Sequence, residues 1–478
     1  MLYWRSTPRN FKNYTLLLLF LTLLPQAVNS TPYKNYFPEF QCIADNVIFW
    51  EKVYGEYSIN TAVFHDRENL AIIYEAVHLL DGSLPGASRV NRVYLKTIRN
   101  KYTVILDRLA DGKKPATSEE ERVLKMFAPP DIKEKLKKAS QNIRIQTGLK
   151  ERFIEGVVRS GAYMKEMKQI FRSYNLPEEL AYLPHVESSF DTRAYSKFGA
   201  AGMWQFTRAT GKNFMTIDHI IDERRDPLTS THAAAQYLKK NFDNLGTWPL
   251  AITAYNYGHA GMQRAVQQEG NYTAIFKNYR QGHFKFASRN FYAEFLAALR
   301  VAKRLEIHPA VLKESSIANF SIALPGFASA AALADHFNLS HTEMLRLNPS
   351  LGQPIWQGEK YIPKGFHLRL PQNAETVRLA ATLPGTIFQA NQKRSELYLV
   401  KQGDTAGKIA QRFGISLQSL ISSNNLDRQA LVYTGQSLRI PSASTTSIVA
   451  DASSPRPGSS VEGSGAIILK DGKKTPPT

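Results

Sequence analysis

Leu176-Pro177-Glu178-Glu179-Leu180-Ala181-Tyr182-Leu183-Pro184-His185-Val186-Glu187-Ser188-Ser189-Phe190 is followed, after eight residues, by Gly199-Ala200-Ala201-Gly202-Met203-Trp204-Gln205-Phe206. Pro177 suits the first turn of a helix, where its missing N–H is not needed. Leu180, Leu183 and Val186 recur at helical spacing and mark a buried side. Pro184 stands inside that run and removes a helical hydrogen bond, so a kink or a tightened last turn is predicted just before Glu187. One acid is thereby delivered at the end of an apolar segment, ahead of a small-residue turn. Apolar surroundings raise a carboxyl's affinity for its proton and suit it to general-acid work. On this context alone, a solvated surface Glu is the default reading.

The flanking sequence predicts closely spaced amphipathic helices. Phe153, Ile154, Val157 and Val158 share one face, Met164, Met167, Ile170 and Phe171 another. Downstream, Asp222-Glu223-Arg224-Arg225-Asp226-Pro227 reads as a turn held by ion pairs, and Thr229 or Ser230 as the cap of a helix through Ala233, Ala234, Tyr237 and Leu238. Trp248-Pro249 opens a helix that Gly258 stops, and Phe291, Phe295, Leu296 and Leu299 mark a last one before about Pro309. Residues 141–310 are therefore expected to form a mainly α domain. Residues 31–140 are expected to be a further helical region, with helices over Leu70–Leu80 and Val93–Leu109 and with His65-Asp66-Arg67 as an exposed helix start.

Beyond Ser315 the chain repeats itself. Ala332-Leu333-Ala334-Asp335-His336-Phe337 aligns with Lys408-Ile409-Ala410-Gln411-Arg412-Phe413, Asn348 with Asn424, and His367-Leu368-Arg369-Leu370-Pro371 with Ser437-Leu438-Arg439-Ile440-Pro441. Each copy, over 318–371 and 397–441, reads as strand, two short helices and returning strand. Residues 442–478, rich in Ser, Pro, Gly and Thr, are expected to be a disordered tail.

With 478 residues and 43% hydrophobic composition, several globular modules are expected. A formal charge of +19 suits an anionic partner or surroundings, but there is no dense basic block or basic–aromatic alternation, and no nucleic-acid partner is expected. Arg5, Arg9 and Lys12 precede an apolar run from Leu16 to Leu24, then Pro25 and a small-residue exit near Ser30, the layout of an export signal over residues 1–30. Cys42 is the only cysteine, which excludes an intrachain disulfide and a cysteine metal site, and its context is not that of a lipoprotein. His185, His219, His232 and His259 lack metal-ligand spacing, so neither a metal nor a cofactor is expected.

Three separated pieces, Glu187-Ser188-Ser189-Phe190, Gly199 to Phe206, and Ala254-Tyr255-Asn256-Tyr257-Gly258, together resemble the soluble-lytic-transglycosylase type of lytic transglycosylase domain, and Glu151 to Gly156 and Leu176 to His185 resemble the lytic murein transglycosylase D subgroup. The resemblance implies a lysozyme-like catalytic domain acting on peptidoglycan glycan strands, in the periplasm or cell envelope. It makes Glu187 the single catalytic acid and base, with Ser188, Gly202, Met203, Gln205, Tyr255 and Asn256 at the substrate. Tyr255 would donate to Glu187 or to an acetamido carbonyl, and Met203, Trp204 and Phe206 would divide between groove wall and core. Asp191, four residues after Glu187, is the nearest second carboxylate and reads as a turn residue. Tyr398 to Pro441 resembles a LysM module, which implies glycan contacts around Gly403, Asp404, Thr405 and Asn424. The copy over 318–371 lacks a Gly-Asp-Thr segment and is degenerate. A hydrolytic muramidase on the same fold and an inactive wall-binding scaffold are the competing readings; oligomeric state is left open.

Overall fold

The computed structural model describes residues 36–424, 426–427 and 429–441. The expected export signal over 1–30 and tail over 442–478 lie outside the described residues. The chain runs α1 (Ala44–Gly55), β1 (Thr61–Asp66), β2 (Ile73–His78), α2 (Ala87–Ala110), α3 (Ser118–Leu124), α4 (Ile132–Gln141), β3 (Ile143–Thr147), α5 (Lys150–Ser160), α6 (Met164–Ser173), α7 (Pro184–Glu187), α8 (Arg208–Gly211), α9 (Pro227–Leu245), α10 (Trp248–Tyr257), α11 (His259–Glu269), α12 (Tyr272–Asn278) and α13 (Phe286–Glu306). Helix α13 packs against α1, α5, α7 and α10. Its Phe291, Phe295 and Leu296 are buried in a core shared with Phe153, Met167, Leu180 and Trp204. Helix α9 shows how sequence sets an end: Pro227 occupies the first turn, so the cap falls on Asp226, whose carboxylate accepts from the Thr229 N–H at 2.8 Å, rather than on Thr229 or Ser230.

The N-terminal region is not uniformly helical, and it does not end at residue 140 as a separate unit. Helix α1 belongs to the main core, where Trp50 and Val53 are buried and Asn46 donates to Asn290 of α13 at 2.6 Å. Strands β2, β1 and β3 form an antiparallel sheet in that order, with Thr61 opposite His78 and Ala62 opposite Thr147. Helices α2 and α4 cover it through a second core that includes Phe64, Tyr74, Leu106, Leu136 and Ile145. The helix expected over Leu70–Leu80 is therefore strand β2. Apolar residues are dense enough there to fit either period, and β-branched and aromatic side chains paired along β1 decide for the strand. His65 and Asp66 end β1 and are buried instead of opening an exposed helix. Asp66 accepts from the N–H groups of Glu68 and Asn69 at 2.7 and 2.8 Å and so makes the turn toward β2.

The C-terminal part runs β4 (Asn319–Ala323), β5 (Phe327–Ala328), α14 (Ala330–His336), α15 (His341–Leu347), α16 (Gln353–Trp356), β6 (His367–Pro371), α17 (Ala374–Ala381), β7 (Phe388–Gln389), β8 (Glu396–Leu399), α18 (Ala406–Arg412), α19 (Leu417–Asn424) and β9 (Ser437–Ile440). Strand β4 pairs antiparallel with β6, and β8 with β9. The first copy extends past residue 371, because β7 pairs with β5 and Leu379 and Phe388 pack on its core. That core also takes in Ile220 and Ile221 of the helical domain. The Asp222 N–H donates to the Ser350 carbonyl at 2.8 Å, and the Arg369 guanidinium grips the buried Asp226 carboxylate, one contact being 2.8 Å. The second copy has its own core of Val400, Ile409, Leu420 and Leu438. Among the described residues, no helix is long and apolar enough to cross a membrane.

Candidate active site

Glu187 is delivered by two prolines in succession. A single-turn 3₁₀ segment, Glu178–Tyr182, follows Pro177, and Pro184 then starts α7, which ends at Glu187. Ser189 and Phe190 both take left-handed backbone, φ 52° and 59°, and turn the chain sharply after the acid. Such conformations are costly for residues with a Cβ and persist where neighbours hold them. Here Phe190 is buried beside His185 at 4.5 Å between ring centroids, and Arg159 donates twice to the Ser189 carbonyl, at 3.1 and 2.7 Å.

The glycine turn lies against this loop. Gly202 has φ 74°, and a Cβ there would sit 1.8 Å from the Arg224 carbonyl oxygen, so no other residue fits without moving the backbone. Arg224, 2% exposed, donates to the carbonyls of Gly199 at 2.7 Å and Phe206 at 3.1 Å and pairs with Asp222 at 2.7 Å. The charged turn that follows is thus the buttress of the glycine turn. Ser188 donates to the Met203 carbonyl at 2.9 Å, Gln205 Nε2 to the Gly202 carbonyl at 2.8 Å, and Tyr255 to the Trp204 carbonyl at 2.8 Å. Five of the residues singled out with Glu187 therefore meet on one turn. Asn256 stands at the surface beside it and accepts from Ser288 at 2.7 Å.

Two expectations need correction. Tyr255 spends its proton on the Trp204 backbone and not on Glu187. Met203, Trp204 and Phe206 are 1%, 0% and 3% exposed, so all three are core; Met203 meets its neighbours here through its carbonyl. Trp204 is anchored from behind by donating to Thr231 at 2.9 Å.

Burial governs the electrostatics. It pushes the half-buried Glu187 carboxyl up to about 8. Burial, then the Glu187 charge, pushes the Tyr255 hydroxyl well above its ordinary value. Tyr54 is raised in the same way, by burial first, then Glu294, then Glu187. Glu294, 2% exposed on α13, is a second acid at this place, and its carboxyl is pushed up to about 8 by burial first and by the Glu187 charge next, with Arg144 pulling back. The sequence reading missed it, although a lone acid in the apolar run Phe291 to Leu296 was a signal. His185 is buried without a ring-nitrogen partner and held at about 3 by burial and then Arg159, so its ring is neutral. Asp191 accepts from the Arg193 N–H at 2.9 Å in a turn. Among the described residues, no cluster of three His, Cys, Asp or Glu could hold a metal.

The Transglycosylase SLT domain model matches residues 165–276, which hold Glu187, the glycine turn, its Arg224 buttress, Tyr255 and Asn256, and the LysM domain model matches residues 398–441. The chain carries an SLT transglycosylase domain and a LysM domain. Membrane-bound lytic murein transglycosylase D of Escherichia coli K12 is 29% identical over 309 residues, 62% of this chain. The protein of the same name from a second Escherichia coli strain matches to the same extent. The matched part spans 66% of that relative, just under two thirds of its length. A solved structure of an inactive mutant of the lytic transglycosylase Slt from Pseudomonas aeruginosa aligns with a TM-score of 0.26 at 15% identity, over 32% of this chain and 26% of that one.

In the LysM domain the residues singled out serve the module's own frame. Gly403 has φ 83°, Asp404 accepts from the Tyr398 hydroxyl at 2.7 Å and the Lys401 N–H at 2.9 Å, and Thr405 caps α18 by accepting from the Lys408 N–H at 3.2 Å. Asn424 donates to the carbonyls of Leu420 at 2.9 Å and Arg439 at 2.8 Å and accepts from the Arg439 N–H at 2.7 Å. Both its amide hydrogens are taken within the module, where Asn424 locks α19 to β9. Asn348 makes the same three contacts in the first copy, to Met344 and Arg369. A cleft of about 690 Å³ lies between the SLT domain and that copy, lined by His232, Thr229, Lys364, Phe366 and His367 among others; Glu187 is not part of its lining.

Proposed function

We propose that this chain is a lytic transglycosylase that cleaves the bond between N-acetylmuramic acid and N-acetylglucosamine in peptidoglycan without consuming water. The observation that carries the reading is the Glu187 carboxyl, held at about 8 by burial on a turn built by Ser188, Gly202 and Gln205. At neutral pH such a group carries a proton to give. Glu187 protonates the glycosidic oxygen, the bond from the muramoyl anomeric carbon breaks with its electron pair going to that oxygen, and the substrate's N-acetyl oxygen steadies the positive carbon. The Glu187 carboxylate then takes the proton of the muramoyl C6 hydroxyl, whose oxygen closes on the anomeric carbon to give a 1,6-anhydro end. The acid ends as it began. Gln205 and Asn256 supply amides toward the sugar, and the LysM domain keeps the enzyme on the wall, raising the local concentration of glycan. Export to the envelope follows from the same reading.

Mass analysis of purified sacculi digested with the protein tests it. Anhydromuramoyl products are expected, whereas reducing muramoyl ends would assign a hydrolytic muramidase. Glu187→Gln should abolish turnover while leaving wall binding; a variant as active as the parent would remove Glu187 from the role of acid.

A further inference from the structure

Helix α13 carries an acid that its packing does not use. Glu294 lies among the buried Phe291, Tyr292, Ala293, Phe295 and Leu296 and is itself 2% exposed. Its Oε1 has no hydrogen-bond partner. The other buried polar side chains of this helix are engaged: Ser288 donates to Asn256 at 2.7 Å, and Asn290 donates to the Phe286 carbonyl at 2.8 Å while accepting from Asn46. A carboxyl left in this state costs stability and invites a functional explanation. Helix α13 packs on α7, the turn that ends at Glu187. The titratable and charged groups that bear on Glu294 are Glu187 from α7, Tyr54 from α1 and Arg144 from β3. Tyr255 of α10 bears on Glu187, and further along α13 Arg300 and Arg304 are held by Glu51 of α1.

We propose that Glu294 is a positioning residue for the acid step at Glu187: it stays protonated, and its O–H stabilises the Glu187 carboxylate that forms when the glycosidic oxygen takes the proton. The proposal rests on the reading of Glu187 as the acid and base. Proton accounting closes, because Glu294 keeps its own proton throughout and Glu187 regains one from the C6 hydroxyl. An ionised Glu294 would instead face the new anion with a like charge in a poorly screened place. Burial of both carboxyls, and the added penalty that the Glu187 charge places on Glu294, favour the protonated state.

The test compares Glu294→Gln, a neutral donor of the same shape, with Glu294→Met, an unbranched side chain without a donor, by initial rates of fragment release from purified sacculi between about pH 5 and about pH 10. Glu294→Met should be slower by about 10-fold or more, with its alkaline limb moved to higher pH because the Glu187 anion has lost its donor. Glu294→Gln should recover the rate to within about 3-fold and keep the limb within a few tenths of a pH unit of the parent. A merely structural role would lower the yield of folded protein without moving that limb. An alkaline limb lower by about one pH unit in Glu294→Gln would mean that Glu294 had been charged, and parental behaviour of Glu294→Met would mean that the carboxyl is idle; either overturns the proposal. If Glu294→Met does not fold, isotope-edited infrared spectra of Glu187→Gln decide: a protonated-carboxyl band at about pH 6 that disappears in the Glu187→Gln, Glu294→Gln double variant is expected, and its absence overturns the proposal. Glu187→Gln also serves as the control in the rate assay. If it is active, the acid assignment fails; if it is inactive and the Glu294 series is flat, only the present inference fails.

Discussion

Asp226 and Glu187 are acids in buried surroundings, and the fold treats them in opposite ways. Asp226 caps α9 through the Thr229 N–H and takes the Arg369 guanidinium from the first repeat copy, so its charge is matched on both sides. Glu187 is shifted by burial alone. Where an acid holds the structure together, its neighbours cancel its charge; where it is kept neutral, the proton is available for chemistry. Breaking the matched acid should have the largest effect on stability. Arg369→Leu leaves Asp226 buried without its cation and is expected to cost about 3–5 kcal/mol in urea unfolding, with much of it recovered by adding Asp226→Asn. A loss below about 1 kcal/mol would show a pair that solvent already screens.

The unmatched acid should respond in the opposite direction, and only over a defined pH range. In the unfolded chain Glu187 loses its proton near its ordinary value of 4.5, whereas the folded chain keeps it to about 8. Across that interval the folded state binds the extra proton, so its stability falls as pH rises, and the penalty is complete above about 8. Glu187→Gln removes the penalty. It should raise stability by about 2–4 kcal/mol near pH 8 and by almost nothing near pH 4, as measured by paired thermal or urea melts at the two pH values. An equal gain at both would point to packing and not to protonation.

How far the sequence foretold this contrast depended on how local its causes are. The Glu187 turn was legible because Pro177, Pro184 and the glycines each impose a backbone state on their immediate neighbours. Helix α10 was legible from Trp248-Pro249 and Gly258 for the same reason. The sheet was not, since Ile73–His78 becomes a strand by pairing with β1, which in turn pairs with the distant β3, Ala62 lying opposite Thr147. The membership of α1 in the main core was equally hidden, because Asn46 meets Asn290 across 244 residues. Arg224 and Asp226 were legible as an ion-pair turn, but their partners, the Gly199 and Phe206 carbonyls and Arg369, lie in other segments. Glu294 was visible as a lone acid in an apolar run, yet nothing near it in sequence names Glu187 as its neighbour.

The repeat gives the smallest effect and a sharper form of the same contrast, between a polar group used by the fold and one kept for a ligand. Asn348 and Asn424 make the same three backbone contacts, but Asn348 is buried against a module fused to the SLT domain, whereas Asn424 is part-exposed in a module with a core of its own. Water can replace part of what Asn424 loses, so Asn424→Ala should cost about 1 kcal/mol and Asn348→Ala about 1–3 kcal/mol. If the Asn424 amide serves only the lock, pelleting with purified sacculi should weaken in Asn424→Ala in step with melting of the LysM core, and recover when the assay is cooled below that transition. Binding that stays weak while the module remains folded would return Asn424 to the glycan surface.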